Sequence, residues 1–159
     1  MQRLKLTVLG LLFFASAAYA QHDEHEGHAV SKGVITVTDD KARSELVFDF
    51  PHVSIEHGAM HEPEIMGVKL PISAYFHGFT VEMVTMDGDT APISLLHHIN
   101  LIAPERRELF SNIMQRVGAA GAETGPLFLP RVIGYPVHAG DSLIFSTMLH
   151  NPTDKDYEH

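Results

Sequence analysis

From residue 33 onward, the apolar residues of this chain fall in short runs separated by turn-forming residues. Leu46, Phe48 and Phe50, for example, are each separated by one residue, and a period of two is typical of a strand with one buried face. Comparable runs cover residues 34–38, 45–50, 69–76, 79–86, 93–102, 127–133 and 141–150. Short strands at this spacing predict an all-β fold, an antiparallel β-sandwich.

One segment, residues 104–117, predicts a short helix within this β-rich pattern. Pro104 is tolerated at a first helical position, Glu105 suits the positive end of the helix dipole, and Gly118 is a typical stop. The apolar residues between them recur at helical spacing: Leu109, Phe110, Ile113, Met114 and Val117. We therefore expect a β-sandwich with one short helix.

The first twenty residues resemble a secretory signal peptide. Arg3 and Lys5 precede an apolar run, and Ala18-Tyr19-Ala20 fits the small-x-small cleavage rule. An uncleaved anchor is the alternative, but the run is shorter than the ~20 apolar residues that span a bilayer. We expect residues 21–32 to be a flexible tail rich in His and acidic residues. Residues 33–159 would be the sandwich domain, and whether the native domain has a further strand after them stays open. The protein would be periplasmic or secreted, with no membrane contact after cleavage.

Composition excludes several classes of function. The formal charge of -9, which becomes -11 without Arg3 and Lys5, and the lack of a dense basic stretch argue against nucleic acid as a partner. The absence of cysteine excludes disulfides, thiolate zinc sites and thiol catalysis. No nucleophile elbow or phosphate-binding loop is present. What stands out is 12 His and 7 Met, which are imidazole and thioether donors.

The first candidate metal ligands are His97 and His98, inside an apolar strand. Adjacent strand residues point to opposite faces, so shared ligation requires a local twist or a bulge. The alternative is one packed core His and one surface His. His150 ends a later strand, with Met148 two residues earlier on the same face, and each is a candidate third ligand.

A loop carries a second group of candidates, with interleaved glutamates. Its donors are His52, His57, Met60 and His61, of which we expect the last three to form a second or accessory site. Imidazole with thioether suits copper, whereas imidazole with carboxylate suits zinc as well. A solvated loop with incidental His is the alternative. The tail residues His22, His25 and His28 are expected to bind metal weakly, and His77 and His138 to be structural or surface residues.

The pair His97-His98, together with residues 129–136 and 149–152, resembles the first copper domain of the type II, ascorbate-dependent copper monooxygenases, the peptidylglycine- and dopamine-hydroxylating enzymes. In that family a His-His pair on a strand and a later His near an Asn-Pro hold one copper in a β-sandwich. The resemblance spans about residues 70–153 and implies this role for His97, His98 and His150.

The chain also departs from that family. When Asn151-Pro152 is aligned with the family's Asn-Pro, the ligand position falls on Met148, so Met148 and His150 both stay open as third ligand. The family's cysteines and second copper domain are absent from this sequence. The resemblance therefore implies copper binding or electron transfer better than hydroxylation.

These observations predict an exported copper-binding protein that handles or buffers the metal, with zinc as the alternative ion. Its partners would be the metal ion and another periplasmic metal-handling protein. Two other functions stay open: a metal-independent β-sandwich interaction module, and a copper-dependent redox enzyme component.

Overall fold

The computed structural model describes residues 3–8 and 34–157. Its strands confirm the predicted all-β fold, and the one helix among the described residues is the 3-10 turn Ile93–Leu95. The strands in chain order are β1 Arg3–Val8, β2 Thr36–Asp40, β3 Glu45–Asp49, β4 Met60–His61, β5 Met66–Lys69, β6 Ala74–Phe76, β7 Gly78–Val84, β8 Thr90–Ala91, β9 Leu96–Arg107, β10 Met114–Ala120, β11 Leu127–Phe128, β12 Tyr135–Val137 and β13 Ser142–His150.

The strands form two main antiparallel sheets and a small third one. The first sheet has the order β11-β7-β1-β3-β2, with β8 paired to β7. The second has the order β10-β9-β13-β4, with β5 paired to the other end of β13. Strands β12 and β6 pair separately. The second sheet holds the predicted His pair on β9 and the candidate third ligands on β13.

The core lies between the two main sheets. Phe48 of β3 packs against Phe145 of β13 with ring centroids 5.2 Å apart, and Phe50 meets the same ring edge-on at 5.1 Å. Along β13 every second residue is buried, as its period-two sequence pattern predicts. The side chains that fill this interior include Leu46, Phe79, Met83, Leu95, Ile99, Leu101 and Leu143.

The predicted helix at residues 104–117 is wrong. Strand β9 continues to Arg107, and β10 begins at Met114 and runs back antiparallel to it. Within the turn, Glu108 N–H donates to the Ile113 carbonyl at 3.1 Å, and Arg116 N–H donates to the Glu108 carboxylate at 2.8 Å. The segment is a β-hairpin.

Tertiary pairing explains why the helical spacing failed to make a helix. A lone helix of this length is marginal in water unless its apolar stripe is buried, and here Leu109 and Phe110 are 74% and 91% exposed. Pairing with β9 buries Val117 instead. Gly118, expected to stop the helix, lies inside β10, where an added Cβ would come within 2.6 Å of the Phe79 ring. The absence of a side chain at Gly118 leaves room for the Phe79 ring in the core.

The described residues cover only a small part of the segment for which a signal peptide and a tail are predicted. Residues 3–8, expected to open a signal peptide, form strand β1 between β3 and β7. The remainder of the predicted leader, residues 1–2 and 9–20, and the predicted tail, residues 21–32, lie outside the described part. No helix in the described ranges has the length and apolar character needed to cross a membrane.

Two Leu→Ala substitutions distinguish the hairpin from the expected helix. Leu101 is fully buried in β9, so Leu101→Ala should lower the free energy of unfolding by about 2–5 kcal/mol through lost burial and a cavity. Leu109→Ala, at an exposed hairpin position, should change it by less than ~0.5 kcal/mol. Urea denaturation measures both. Equal losses at the two positions would contradict the hairpin and favour a buried helical stripe.

Candidate metal centre

A β-bulge places the two adjacent histidines. Along the β9–β13 ladder, Met148 pairs with His98 but the next residue, Leu149, pairs with Leu96, so His97 is the extra residue on β9. The register shift interrupts the alternation of the strand. His97 is exposed and His98 half-buried, between the buried Leu96 and the following core residue. Two adjacent strand residues can bind one ion only where the strand has an irregularity of this kind.

The bulge brings the two imidazole rings together. Nδ1 of His97 lies 3.0 Å from Nδ1 of His98, with ring centroids 5.2 Å apart and ring planes inclined at 73°. Two neutral rings at this distance can share one proton, with one nitrogen donating and the other accepting. Rotation of the rings out of this hydrogen bond would let the same two nitrogens direct their lone pairs to one ion.

The separation of the two nitrogens also bears on the coordination geometry. With metal–nitrogen bonds of about 2.0–2.1 Å, the 3.0 Å separation corresponds to an angle of about 91–97° at a shared ion. A tetrahedral angle would need roughly 3.3–3.4 Å with the same bonds. Near-right angles are typical of tetragonal Cu(II), whereas structural zinc is tetrahedral. Both ions use imidazole nitrogens, so the pair alone leaves copper and zinc as alternatives.

Gly121 accommodates the bulge from the neighbouring segment. An added Cβ at Gly121 would overlap the carbonyl oxygen of His97 and approach His98 Cα at 3.4 Å. Beside it, Ala122 N–H donates to the Leu96 carbonyl at 2.9 Å. The backbone of the bulge thus lies directly against a position where only glycine leaves room.

Methionine thioethers and histidine imidazoles line the face of the second sheet that points away from the core. Met148 is directly opposite His98 on that face, and His150 follows two residues later, opposite Met60 of β4. Directly paired side chains lie with Cβ atoms about 4.5–5.5 Å apart. We call His97, His98, Met148, His150 and Met60 the outer row.

The predicted accessory group of His57, Met60 and His61 is divided by the fold. Met60 is exposed and belongs to the outer row, whereas His61 pairs with the buried Leu149 and shares its inward face. The Nε2 atom of His61 is buried and has no hydrogen-bond partner within the described part of the chain, and burial lowers the pKa of this imidazole. Met60 and His61 therefore present their donors on opposite faces.

His57 lies in the turn beside the end of β13. Its Nδ1 atom contacts the Thr153 carbonyl oxygen, so Nδ1 donates the hydrogen bond and Nε2 is the ring nitrogen left for another partner. The backbone N–H of His57 donates to the Asp156 carboxylate at 2.7 Å. This arrangement orients the imidazole in the manner common for metal-binding histidines.

Asn151 anchors this turn to the strand that carries Met148 and His150. Its fully buried side chain donates to the carbonyl oxygens of Ile55 at 3.1 Å and Lys155 at 2.7 Å, and accepts from the Thr153 hydroxyl at 2.7 Å. Its backbone N–H donates to the Ala59 carbonyl at 3.0 Å. The Asn-Pro sequence after His150 thus has a structural role that motif reasoning alone did not reveal.

The surroundings of His98 favour its neutral form. Desolvation by burial lowers the pKa of His98, and the nearby His97 and Arg116 lower it further, although Glu62 acts in the opposite direction. A neutral imidazole has a free lone pair, which metal binding requires. His98 is therefore ready to coordinate at neutral pH without first losing a proton.

The His, Asp and Glu side chains of the described residues do not by themselves complete a metal site. Within residues 34–157, no three His, Asp or Glu side chains lie close enough together to hold a metal ion. An ion at His97 and His98 would thus take a thioether as third protein donor, or a ring brought in by rotation of a neighbouring side chain. Met148 supplies the first option and His150 the second.

The remaining isolated histidines have structural contacts. His77 Nδ1 contacts the Ile133 carbonyl oxygen at 2.6 Å, and His138 lies 3.6 Å from the Asp141 carboxylate on the surface. These contacts account for both residues without a ligand. Gly121, which sequence reasoning missed, could have been suspected only from its place in the small-residue stretch 118–125.

Comparison of the chain with protein-family models, curated proteins and solved structures found no match in any of the three.

Substitution of Gly121 tests the bulge directly. Gly121→Ala must displace the His97 carbonyl, and overpacking of this kind lowers the free energy of unfolding by about 1–3 kcal/mol. Gly125→Ala is the matched control, because an added Cβ there meets nothing within 4 Å. Thermal melting of both variants measures the difference. A stable Gly121→Ala protein with an unchanged His97 environment in NMR spectra would contradict the close approach.

The lowered pKa of His98 predicts a pH dependence of the metal-free protein. In the unfolded chain the imidazole takes up a proton near pH 6.5, while the folded protein resists protonation until a lower pH. The free energy of unfolding should therefore fall as pH decreases below about 6.5. Urea denaturation in EDTA between pH 5 and 8 measures this slope. His98→Asn should reduce it, and an unchanged slope would show that other groups are responsible.

Proposed function

We propose that this chain is an exported copper-binding protein whose ion is held by His97 and His98. The observation that carries the proposal is the bulge of β9, which brings the two Nδ1 atoms to 3.0 Å. A regular strand would direct these adjacent side chains to opposite faces. Two imidazoles on one ion provide nitrogen ligands that suit copper in either oxidation state.

Met148 is the third ligand that the register favours. It is directly opposite His98 on the outward face, whereas His150 is two residues further along and opposite Met60. A thioether is a soft donor that favours Cu(I), and imidazoles accept Cu(II) as well. His150 and Met60 would then be the neighbouring donors through which an ion enters or leaves.

The role best supported by this ligand set is metal handling. The outer row lies on the surface of the sheet, with His97 and Met60 exposed and His98, Met148 and His150 half-buried. An ion bound there is accessible to the surface of another protein. We infer a partner that delivers or accepts copper in the same exported compartment, where the leader-like residues 1–20 would direct this chain.

A second function is favoured by the same contact. The 3.0 Å approach of the two rings is also a satisfactory hydrogen bond between neutral imidazoles, which needs no metal. The protein would then be an interaction module whose histidine pair stabilises the bulge. The two functions differ in what copper does to the folded state.

Copper titration of untagged protein distinguishes them. Residues that bind the metal directly contribute more to its affinity than residues that only support the ligands. We therefore expect the His97→Ala/His98→Ala variant to lose more than about a hundredfold in copper affinity. Met148→Leu should weaken Cu(I) more than Cu(II), since it removes only the soft donor. His138→Ala, which removes a surface imidazole in a surface ion pair, is the matched control and should leave affinity unchanged. Isothermal titration calorimetry measures the copper affinity of the wild type and of these three variants.

Thermal melting provides the complementary result. A specific ligand of the folded state adds about 2.7 kcal/mol at one hundred times its Kd, so the melting temperature should rise with copper concentration. The rise should vanish in the double variant. Equal affinity and equal melting for wild type and double variant would remove the proposal and leave the metal-independent module.

A further inference from the structure

The position of β1 in the first sheet is unusual for a segment with the sequence of an export leader. Strand β1 lies between β3 and β7 and is antiparallel to both, so β3 and β7 run parallel to each other. Their facing edges pair with no other strand among the described residues. Adjacent strands are about 4.7–4.9 Å apart, so removal of β1 would leave a gap one strand wide.

This gap has an apolar wall on the core side. Leu46 and Phe48 of β3 and Phe79 and Met83 of β7 are buried there. The register pairs these four residues with alternate positions of β1, residues 4, 6 and 8. The sequence of β1 has an apolar residue at each of those positions. The core side of the gap thus matches a strand with period-two apolar residues.

The other side of the gap is acidic at one position. Asp49 of β3 and Glu82 of β7 pair with the same residue of β1, which is Lys5. Asp49 Oδ1 is buried and has no hydrogen-bond partner among the side chains and backbone groups that the structure describes. Directly opposed residues of a sheet interact, and opposite charges are favoured there. A basic residue at the centre of the inserted strand therefore complements both walls.

We propose that the gap between β3 and β7 is a peptide-binding slot for an extended segment with apolar residues alternating around a central basic residue. In the exported protein its occupant is a strand of a second polypeptide. This last step rests on the proposed export, because cleavage after Ala20 removes residues 3–8. The new N-terminal segment, residues 21–32, has almost no apolar residues and lacks the required alternation. Two facing rows of unpaired backbone groups then bind a strand by β-augmentation.

The test uses the full chain with its leader retained, made without export and carrying a specific protease sequence inserted after Gln21. After folding, the protein is cut and examined by native mass spectrometry. We expect the N-terminal fragment to stay bound to the remainder. A labelled peptide of residues 2–9 should exchange into the cut protein and should not bind the uncut protein, whose slot is filled covalently.

Charge variants test the ligand class. Lys5→Glu puts a like charge at the register position that pairs with both Asp49 and Glu82, and we expect fragment retention to weaken about tenfold, whereas Lys5→Arg should retain it. On the acceptor side, Asp49→Asn should reduce the difference between these two variants. Glu45→Gln is the matched control, because Glu45 pairs with Asp40 of β2 and lies beyond the β1 register.

Two results would overturn the proposal. One is release of the fragment: a remainder that keeps its melting temperature does not need an occupant, and a remainder that loses its β-sheet circular dichroism has no folded walls to bind a second strand. The other is equal retention of the Lys5→Glu and Lys5→Arg fragments. Copper affinity of the same proteins is measured in parallel, so that failure of the slot can be distinguished from failure of the proposed copper site.

Discussion

The one-residue register shift between β9 and β13 determines which side chains lie beside one another on the outward face of the second sheet. Without it, His97 and His98 would lie on opposite faces of a regular strand, one in the core and one outside. With it, Met148 pairs with His98 while Leu149 pairs with Leu96, and the two rings meet at 3.0 Å. The shift is accommodated at Gly121, where a side chain would overlap the bulge. The proposed copper chemistry therefore depends on backbone geometry as much as on ligand identity.

The site and the slot use opposite parts of the sandwich. The outer row lies on the second sheet, away from the core, whereas the slot belongs to the first sheet and opens between β3 and β7. The contact of Phe48 and Phe50 with Phe145 links the two sheets through the core. The proposed metal site and the proposed slot therefore share no residue.

Period-two patterns were sufficient to predict the all-β fold, and the β13 strand at residues 142–150 follows its alternation throughout. The helix at 104–117 was wrong because the spacing of its apolar residues is a local signal, while pairing with β9 is a long-range one. For the site, sequence identified the His pair and noted that a bulge was required. It could not supply the cross-strand register, the separation of Met60 from His61, or the role of Gly121, since each depends on residues distant in sequence.

Electron paramagnetic resonance of the Cu(II)-loaded protein with ¹⁵N-labelled histidine tests whether copper binds at the bulge. We expect nitrogen couplings from at least two imidazoles of one copper, because His97 and His98 offer adjacent Nδ1 atoms. In the His97→Ala/His98→Ala protein these couplings should disappear. A spectrum with fewer than two imidazole nitrogens, or one that is identical in the double variant, would contradict a copper site at the bulge.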